Sequence, residues 1–485
     1  MRPLRPYQEK AISALRNSLA TGHRRPVLQV PTGGGKTRIA GEIILMARAK
    51  GRRVAFVVPA ISLVDQTVES FQRDGISDVG VIQADHWMTR PDAPVQVCSL
   101  QTLERRELPQ DIGLVIVDEA HRGFRFLYRW MDEWPAVPFI GLSATPWASG
   151  MGKHWDDLIV GNSTEGMISE GYLSPFKVYA PGHPDLSGVK IVAGDYHEGQ
   201  LGEAMDKTPL IADIVDSWRQ YGVGRPTLLF AVNRAHAKHC QQEFNSAGIV
   251  AEYIDAYTEP EERRIIGTRL ERGDVSVVCN VGCLTTGVDW DVRCIVLARP
   301  TRSEMLFVQM IGRGLRLADG KDHLVILDHS DTHQRLGFVT DIHYETLDTG
   351  KNRQNHDRKK KEVLPKECPK CHFLRAPKVS TCPSCGYVPE IKTGVDHIDG
   401  DLLEITEKKK NRERVPKATQ QDWYSMLFTY AVNTGRKEGW AYYKFKEKFD
   451  REPSGLAKKI LSPSPDVLSW IKSRQIAWIK ARQKK

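Results

Sequence analysis

The chain has 485 residues, of which 41% are hydrophobic, and carries a net charge of +9; the usual length prior gives about three domains with a core of ordinary size. No apolar run approaches the roughly 18 residues a membrane span needs, and Met1 to Gln8 has no apolar stretch of the secretory type, so a membrane protein is excluded and a cytoplasmic one expected. The charge is divided unevenly, −6 over residues 1–350 and +15 over residues 351–485. A basic C-terminal quarter with interleaved Trp and Tyr suits a nucleic-acid surface, with a solvated charged tail as the plain alternative.

In chain order, Leu4-Arg5-Pro6-Tyr7-Gln8 precedes a helical pattern that ends near Leu19. The amide of Gln8 can donate to and accept from an adenine edge. Gln29 to Thr37, QVPTGGGKT, follows the apolar Val27-Leu28 and precedes a helical run from Ile39 to Ala49. Strand, glycine-rich turn and helix start form a phosphate cradle: the N–H groups of Gly33, Gly34 and Gly35 face an anion, and the helix dipole adds to the attraction. Lys36 would reach the β- and γ-phosphates and Thr37 would offer its hydroxyl to Mg²⁺. Val30 stands where the usual pattern has glycine or alanine.

Val54 to Val58 and Val95 to Ser99 read as buried parallel strands, and Ser99-Leu100-Gln101-Thr102 falls where ligands gather in open α/β sheets, though capping would use the same residues. The apolar strand Leu114 to Val117 delivers Asp118-Glu119-Ala120-His121. Two adjacent acids at a buried strand tip need a cation to face. With a phosphate loop in the same domain, Asp118 would hold Mg²⁺ and Glu119 would orient or deprotonate the attacking water. Phe139 to Leu142 runs into Ser143-Ala144-Thr145-Pro146, a hydroxyl pair able to sense the nucleotide or to make a simple turn.

Tyr172 to Gly202 reads as a connector. Beyond it, apolar strands at Thr227 to Val232, Val275 to Val281, Cys294 to Ala298 and Leu324 to Leu327 alternate with helical stretches and imply a second parallel sheet. It has no phosphate loop, but Gln309-x-x-Gly312-Arg313-x-x-Arg316 places Arg313 and Arg316 three apart, on one helix face. Two such guanidinium groups can reach a γ-phosphate held by the first unit. Thr285-Thr286-Gly287-Val288-Asp289 is a natural coupling loop, and Gly287 and Asp289 are grouped with the nucleotide-binding residues.

The ordered set RPYQ, PTGGGKT, DEAH, SAT, TTGVD and QMIGRGLR resembles a superfamily-two helicase with two RecA-like domains, over roughly residues 1–340. Gly171-Tyr172-Leu173 and Leu297-Ala298-Arg299-Pro300 are similar to the RadD-type and phage-encoded DEAD/DEAH helicases of bacteria. The resemblance implies ATP between the two domains, with Arg5 and Gln8 at the base end and Thr32, Lys36, Thr37, Asp118, Glu119, Gln309, Arg313 and Arg316 at the phosphates and metal. It implies DNA crossing both domains, in the cytoplasm of a bacterial host cell, with a single-strand binding protein or recombinase as a partner.

Lys351 to Lys361 is polar and mostly basic. Cys368-x-x-Cys371 and Cys382-x-x-Cys385 are two CxxC pairs ten residues apart, a spacing that closes a tetrahedral Zn²⁺ site; an iron–sulfur cluster or a redox pair would use the same thiols. RadD-type proteins carry zinc-binding cysteines after the motor, in agreement. Trp423 to Phe449 is helical in pattern, with aromatic residues expected mainly as core. The last stretch, Arg451 to Lys485, has nine basic and two acidic residues, with Trp470 and Trp478 on a similar helical face.

The expected fold class is α/β: a RecA-like domain over residues 1–172, a second over 173–345, a basic linker at 346–366, a zinc ribbon at 367–389, a charged linker at 390–415 and a basic helical module at 416–485. The expected activity is ATP-dependent helicase or translocase action on single-stranded or branched DNA, with ATP, Mg²⁺ and Zn²⁺ as cofactors. A DNA-clamping ATPase switch, a restriction-type motor and an RNA helicase are the alternatives. No PD…(D/E)xK nuclease pattern accompanies these motifs.

Overall fold

The computed structural model describes residues 3–83, 86–106, 108–285, 289–350, 364–377, 379–388, 416–437, 439–449 and 451–482, the last eight by backbone alone. The chain divides into two compact units, Met1–Ile391 and Lys392–Lys485. None of the described helices is long and apolar enough to cross a membrane.

The first unit holds two parallel sheets. The first contains β1 (Pro26–Gln29), β2 (Arg53–Val58), β3 (Val79–Ile82), β4 (Val95–Ser99), β5 (Ile112–Asp118), β6 (Phe139–Ser143) and β7 (Asp157–Val160), in the order β3-β4-β2-β5-β6-β1-β7. The second is formed by β8 (Phe176–Tyr179), then, beyond a small hairpin of β9 (Ile191–Val192) and β10 (Asp195–Tyr196), by β11 (Thr227–Phe230), β12 (Ala251–Ile254), β13 (Val277–Asn280), β14 (Cys294–Leu297) and β15 (Leu324–Asp328). Its order is β12-β13-β11-β14-β15-β8. Apart from β7, the two sheets therefore repeat one topology: β12 corresponds to β3, β11 to β2, β14 to β5 and β8 to β1.

Because helices cover both faces, the central strands are apolar in consecutive positions. In β2, Val54, Phe56 and Val58 pack into one core layer with Ile39, Ile44 and Phe71, while Ala55 and Val57 face another built with Leu127, Trp130 and Trp155. The stretch expected as a connector from Tyr172 begins instead with a strand, β8, which pairs with β15 at the edge of the second sheet.

After β15 one segment departs from the expected linker, and the four-cysteine segment takes a position that the sequence does not indicate. Residues 344–350 return to the first domain: the Tyr344 ring lies 5.1 Å from that of Trp147, Leu347 joins the Trp155 core, and Gly152 N–H donates to the Asp348 carbonyl at 2.8 Å. The four-cysteine segment, with its short strands β16 (Lys366–Glu367) and β17 (Leu374–Arg375), is docked on the second domain. Tyr179 of β8 bridges to Phe373 in antiparallel fashion, Ala180 N–H donates to the His372 carbonyl at 2.9 Å, and the Tyr179 ring stacks on Tyr221 at 4.0 Å. It thus covers the edge strand that would otherwise present open hydrogen-bonding groups. The basic segment 351–361 lies outside the described residues.

In the second unit, helices Lys417–Asn433, Gly439–Phe449 and Pro465–Arg482 surround Tyr424, Leu427, Ala431, Ala441, Phe445, Val467 and Ile471. Trp423 and Trp470 meet edge to face at 5.9 Å, with the Lys448 ammonium 4.6 Å above Trp423, so these aromatics serve the core as expected. The side chain of Trp478 lies outside the described residues.

Candidate nucleotide site between two domains

The loop after β1 is shaped by its glycines. Gly33 and Gly35 sit at φ +84° and +77°, where a Cβ is strained. A Cβ on Gly34 would lie 2.5 Å from Val30 Cγ1, so this glycine is required by space. Val30 itself is fully buried, which accounts for an apolar residue at the unusual position. The helix Lys36–Arg48 starts directly from Gly35, so its free N–H groups open into the loop.

The N-terminal segment closes one end of the candidate site. Gln8 accepts from Arg5 N–H at 2.9 Å and donates through Nε2 to the Gly34 carbonyl at 3.1 Å; the Tyr7 hydroxyl donates to the same carbonyl at 2.6 Å. The Arg5 guanidinium lies 5.0 Å above the ring of Tyr172. Arg5, Gln8 and Tyr172 line a cleft of about 530 Å³ that also receives Thr32, Lys36, Thr37 and Asp118.

At the carboxyl end of β5, Glu119 adopts φ +48°, a left-handed backbone that costs roughly 1–3 kcal/mol in a non-glycine residue and turns the second acid back toward the loop. Its Oε1 is 3.3 Å from Lys36 Nζ. Its Oε2, 3.4 Å from His121 Nδ1, is buried, and no hydrogen bond to the described residues completes it. Burial first and Glu119 second push Asp118 up to about 6. Burial alone would raise Glu119 too, but the neighbouring cations, Lys36 first and then Arg313, outweigh it and hold Glu119 below the ordinary glutamate range. The paired acids, one with an unfilled buried oxygen, and the nearby Thr37 hydroxyl fit a hard divalent cation with oxygen ligands.

The second domain closes the cleft. The helix Glu304–Gly312 starts at Ser303, whose hydroxyl accepts from Leu306 N–H, and carries Gln309, whose Nε2 meets His121 Nε2 at 3.1 Å. Burial pulls His121 down to about 4, so the imidazole is neutral. An amide nitrogen only donates, so His121 Nε2 accepts and its Nδ1–H faces Ser143 Oγ at 2.8 Å. One imidazole therefore ties the DEAH turn, the SAT turn and the second domain together.

Arg313 and Arg316 do not share a helix face as expected. The helix ends at Gly312, Arg313 is its cap and Arg316 lies in the loop beyond, because glycines at 312 and 314 interrupt it. Both still reach the cleft. A Cβ on Gly312 would stand 2.6 Å from Thr32 Cβ, and one on Gly33 would stand 3.1 Å from Arg316 Cγ, so the Thr32 side chain packs on the Gly312 backbone and the Arg316 side chain on the Gly33 backbone. Arg316 Nη1 pairs with Asp289 Oδ1 at 2.8 Å, which puts the expected coupling loop against the arginine. Gly287 lies outside the described residues. Burial, then Arg316, lower Arg313 to about 9, leaving it cationic at neutral pH.

Tyr172, marked in the sequence only by the family resemblance, flanks the cleft, and Lys321, which has no signal of its own in the sequence, fixes the arginine loop. The Lys321 ammonium donates to the carbonyls of Val292, Gly314 and Arg316 at 2.7, 2.5 and 2.7 Å, and burial lowers it to about 8.

In the four-cysteine segment, Cys368 and Cys385 Sγ are 3.7 Å apart, as are Cys371 and Cys382, and all four sulfurs lie within 4.8 Å of one another. Four thiolates at about 2.3 Å from one ion stand about 3.8 Å apart, so the set fits a tetrahedral metal. The two knuckles repeat: His372 N–H donates to the Cys368 carbonyl and Gly386 N–H to that of Cys382, with His372 and Gly386 both at positive φ.

A phosphate loop and acid pair facing an arginine loop from a second, topologically equivalent domain define a two-domain P-loop ATPase. Residues 2–148 match the family model described as the type III restriction enzyme res subunit, and residues 207–318 match the helicase conserved C-terminal domain. These two segments make the paired domains a helicase-type ATPase motor of superfamily two. The chain is 28% identical to a 51.5 kDa protein of a Lactococcus phage, over 80% of this chain and 84% of that one. It is 32% identical to the provisionally named ATP-dependent helicase IRC3 of Saccharomyces cerevisiae, over 67% of this chain but 51% of that one, so it spans about half of the yeast relative. Among solved structures, the ATP-dependent type ISP restriction-modification enzyme LlaBIII bound to DNA has the same fold over 68% of this chain and 28% of that one, with a TM-score of 0.51 and 17% identity.

Lys321→Met keeps the stem and removes the charge that gathers three carbonyls. Losing a charged hydrogen bond costs about 1.5–3 kcal/mol, so turnover should fall roughly ten- to hundred-fold while ATP affinity, measured with a fluorescent analogue, stays within a few-fold. Wild-type turnover in this variant would mean that the arginine loop is held without Lys321.

Proposed function

We propose that the protein is an ATP-dependent DNA helicase or translocase acting on single-stranded or branched DNA. The observation that carries this reading is the direct contact of the arginine loop with the phosphate loop: whatever fills the cleft sets the spacing of the two domains, which is how hydrolysis becomes movement. Lys36 binds the phosphates, and Glu119, kept anionic by its cationic neighbours, takes the proton of the attacking water. Arg313 and Arg316 balance charge at the γ-phosphate. Thr37 and Asp118 would hold Mg²⁺, which when bound offsets the phosphate charge.

For DNA rather than RNA, the support is the DNA complex of a protein of the same fold and the family resemblance. The excess of +15 after residue 350 supplies charge for a phosphate backbone. The motor of a restriction-type system is the second reading, favoured by the match over residues 2–148; a RadD-type motor is favoured instead by the four cysteines after the second domain. We take those thiols to hold Zn²⁺ in a ribbon that caps the second sheet.

ATP hydrolysis with no nucleic acid, single-stranded, forked and duplex DNA, and matched RNA should be stimulated most by single-stranded or forked DNA, less so at high salt, and be abolished by Lys36→Ala. Stimulation by RNA alone would contradict the reading. Cys382→Ser should release the metal, measured by atomic emission on the dialysed protein, and speed proteolysis next to β8. Unchanged zinc content would remove the four-cysteine site.

A further inference from the structure

Among the described residues of the first unit, the exposed large apolar side chains include two aromatic ones, Trp87 at 83% and Tyr257 at 78% exposure. Their positions are related by the internal repeat. Trp87 follows the carboxyl end of β3 and Tyr257 the carboxyl end of β12, and β3 and β12 are the corresponding edge strands of the two sheets. Both stand on the edge of the sheet where ligands gather, at the side away from β1, which carries the phosphate loop.

Each ring is held outward by an ordered turn. The His86 ring packs against Trp87 at 5.9 Å and 25°. That imidazole bonds Asp65 Oδ1 at 2.8 Å and accepts from Met88 N–H at 3.1 Å, while Met88 is buried in the core. Trp87 is thus flanked by two anchored neighbours. At Tyr257, the backbone N–H donates to Asp255 Oδ1 at 2.8 Å. Asp255 is itself gripped by Arg234 Nε and the Tyr253 hydroxyl, both at 2.8 Å on Oδ2. The Arg234 guanidinium lies 5.0 Å over the Tyr257 ring, which adds a cation to the aromatic face.

Resting on the DNA reading above, we infer that Trp87 and Tyr257 are paired base-stacking contacts for single-stranded DNA, one on each motor domain. Every base has a flat face, so stacking tolerates any sequence, as a moving enzyme requires. With one contact per domain, closing the cleft on ATP changes the spacing between two stacked bases and advances one grip relative to the other. The bases must be unpaired for a ring to reach them, which makes single-stranded DNA the ligand and duplex a poor one.

The test is binding of a fluorescein-labelled oligo-dT, by anisotropy, to wild type, Trp87→Ala, Tyr257→Ala and the corresponding Phe variants, with DNA-free ATP hydrolysis as the control on folding. Each alanine should weaken binding about five- to hundred-fold with unchanged DNA-free hydrolysis, and phenylalanine should restore most of it. An abasic oligonucleotide, which offers no base to either ring, should bind wild type more weakly than oligo-dT binds either alanine variant. Alanine variants that bind oligo-dT like wild type, which itself binds well, overturn the stacking contacts alone. Wild type that does not bind DNA, or prefers matched RNA, overturns the DNA reading and this inference with it.

Discussion

The structure depends on two glycines, Gly33 and Gly312, that leave room for side chains of the opposite domain. Thr32 lays its side chain on the Gly312 backbone and Arg316 its side chain on the Gly33 backbone, and a Cβ at Gly312, 2.6 Å from Thr32 Cβ, would force the two segments to shift. These contacts bring Lys36, Arg313 and Arg316 together with Asp118, Glu119 and Asp289 in one cleft, which Arg5, Arg38, Arg73 and Asp74 also line. Buried charges are tolerated when they are paired and cost several kcal/mol when they are not. Six cations and four carboxylates line the cleft, an excess that suits an anionic ligand, and a bound triphosphate would draw the cations from carboxylates to phosphates. Lys36 resting on Glu119 and Arg316 on Asp289 are contacts of this exchangeable kind. His121 and Gln309 add a neutral link that stays intact while charges move.

The second domain is braced from outside the cleft as well. Lys321 collects the carbonyls that shape the arginine loop, and residues 344–350 cross back to pack beside Trp147, just past the SAT turn. The four-cysteine segment takes the free edge of the second sheet through Tyr179 and Phe373. A metal there would stabilise a small segment that buries little apolar area, and through it the strand β8 on which that segment is docked.

What could be read in the sequence follows from burial. The nine strands identified there are the interior strands of both sheets; the four that went unread, β3, β7, β8 and β12, are the four sheet edges. Interior strands are covered on both faces and appear as unbroken apolar runs, whereas an edge such as Ala251-Glu252-Tyr253-Ile254 is short and half polar. The nucleotide residues were legible because a phosphate imposes contiguous motifs, a glycine turn or a strand ending in two acids. Lys321, Tyr172 and the strap at 344–350 act through contacts with distant segments, and a backbone carbonyl cluster leaves no pattern of residue types. The helix face assigned to Arg313 and Arg316 failed for a local reason that was present in the sequence: glycines at 312 and 314 end the helix between them.

In the proposed mechanism, hydrolysis requires the second domain's arginines as well as the phosphate loop. The most direct measurement is single-turnover hydrolysis by Arg313→Ala, with ATP affinity determined on the same preparation. An arginine that stabilises transition-state charge is worth about 10³-fold or more in rate, so hydrolysis should collapse by that order while ATP still binds within a few-fold of wild type. Hydrolysis at the wild-type rate would contradict the account and confine catalysis to the first domain.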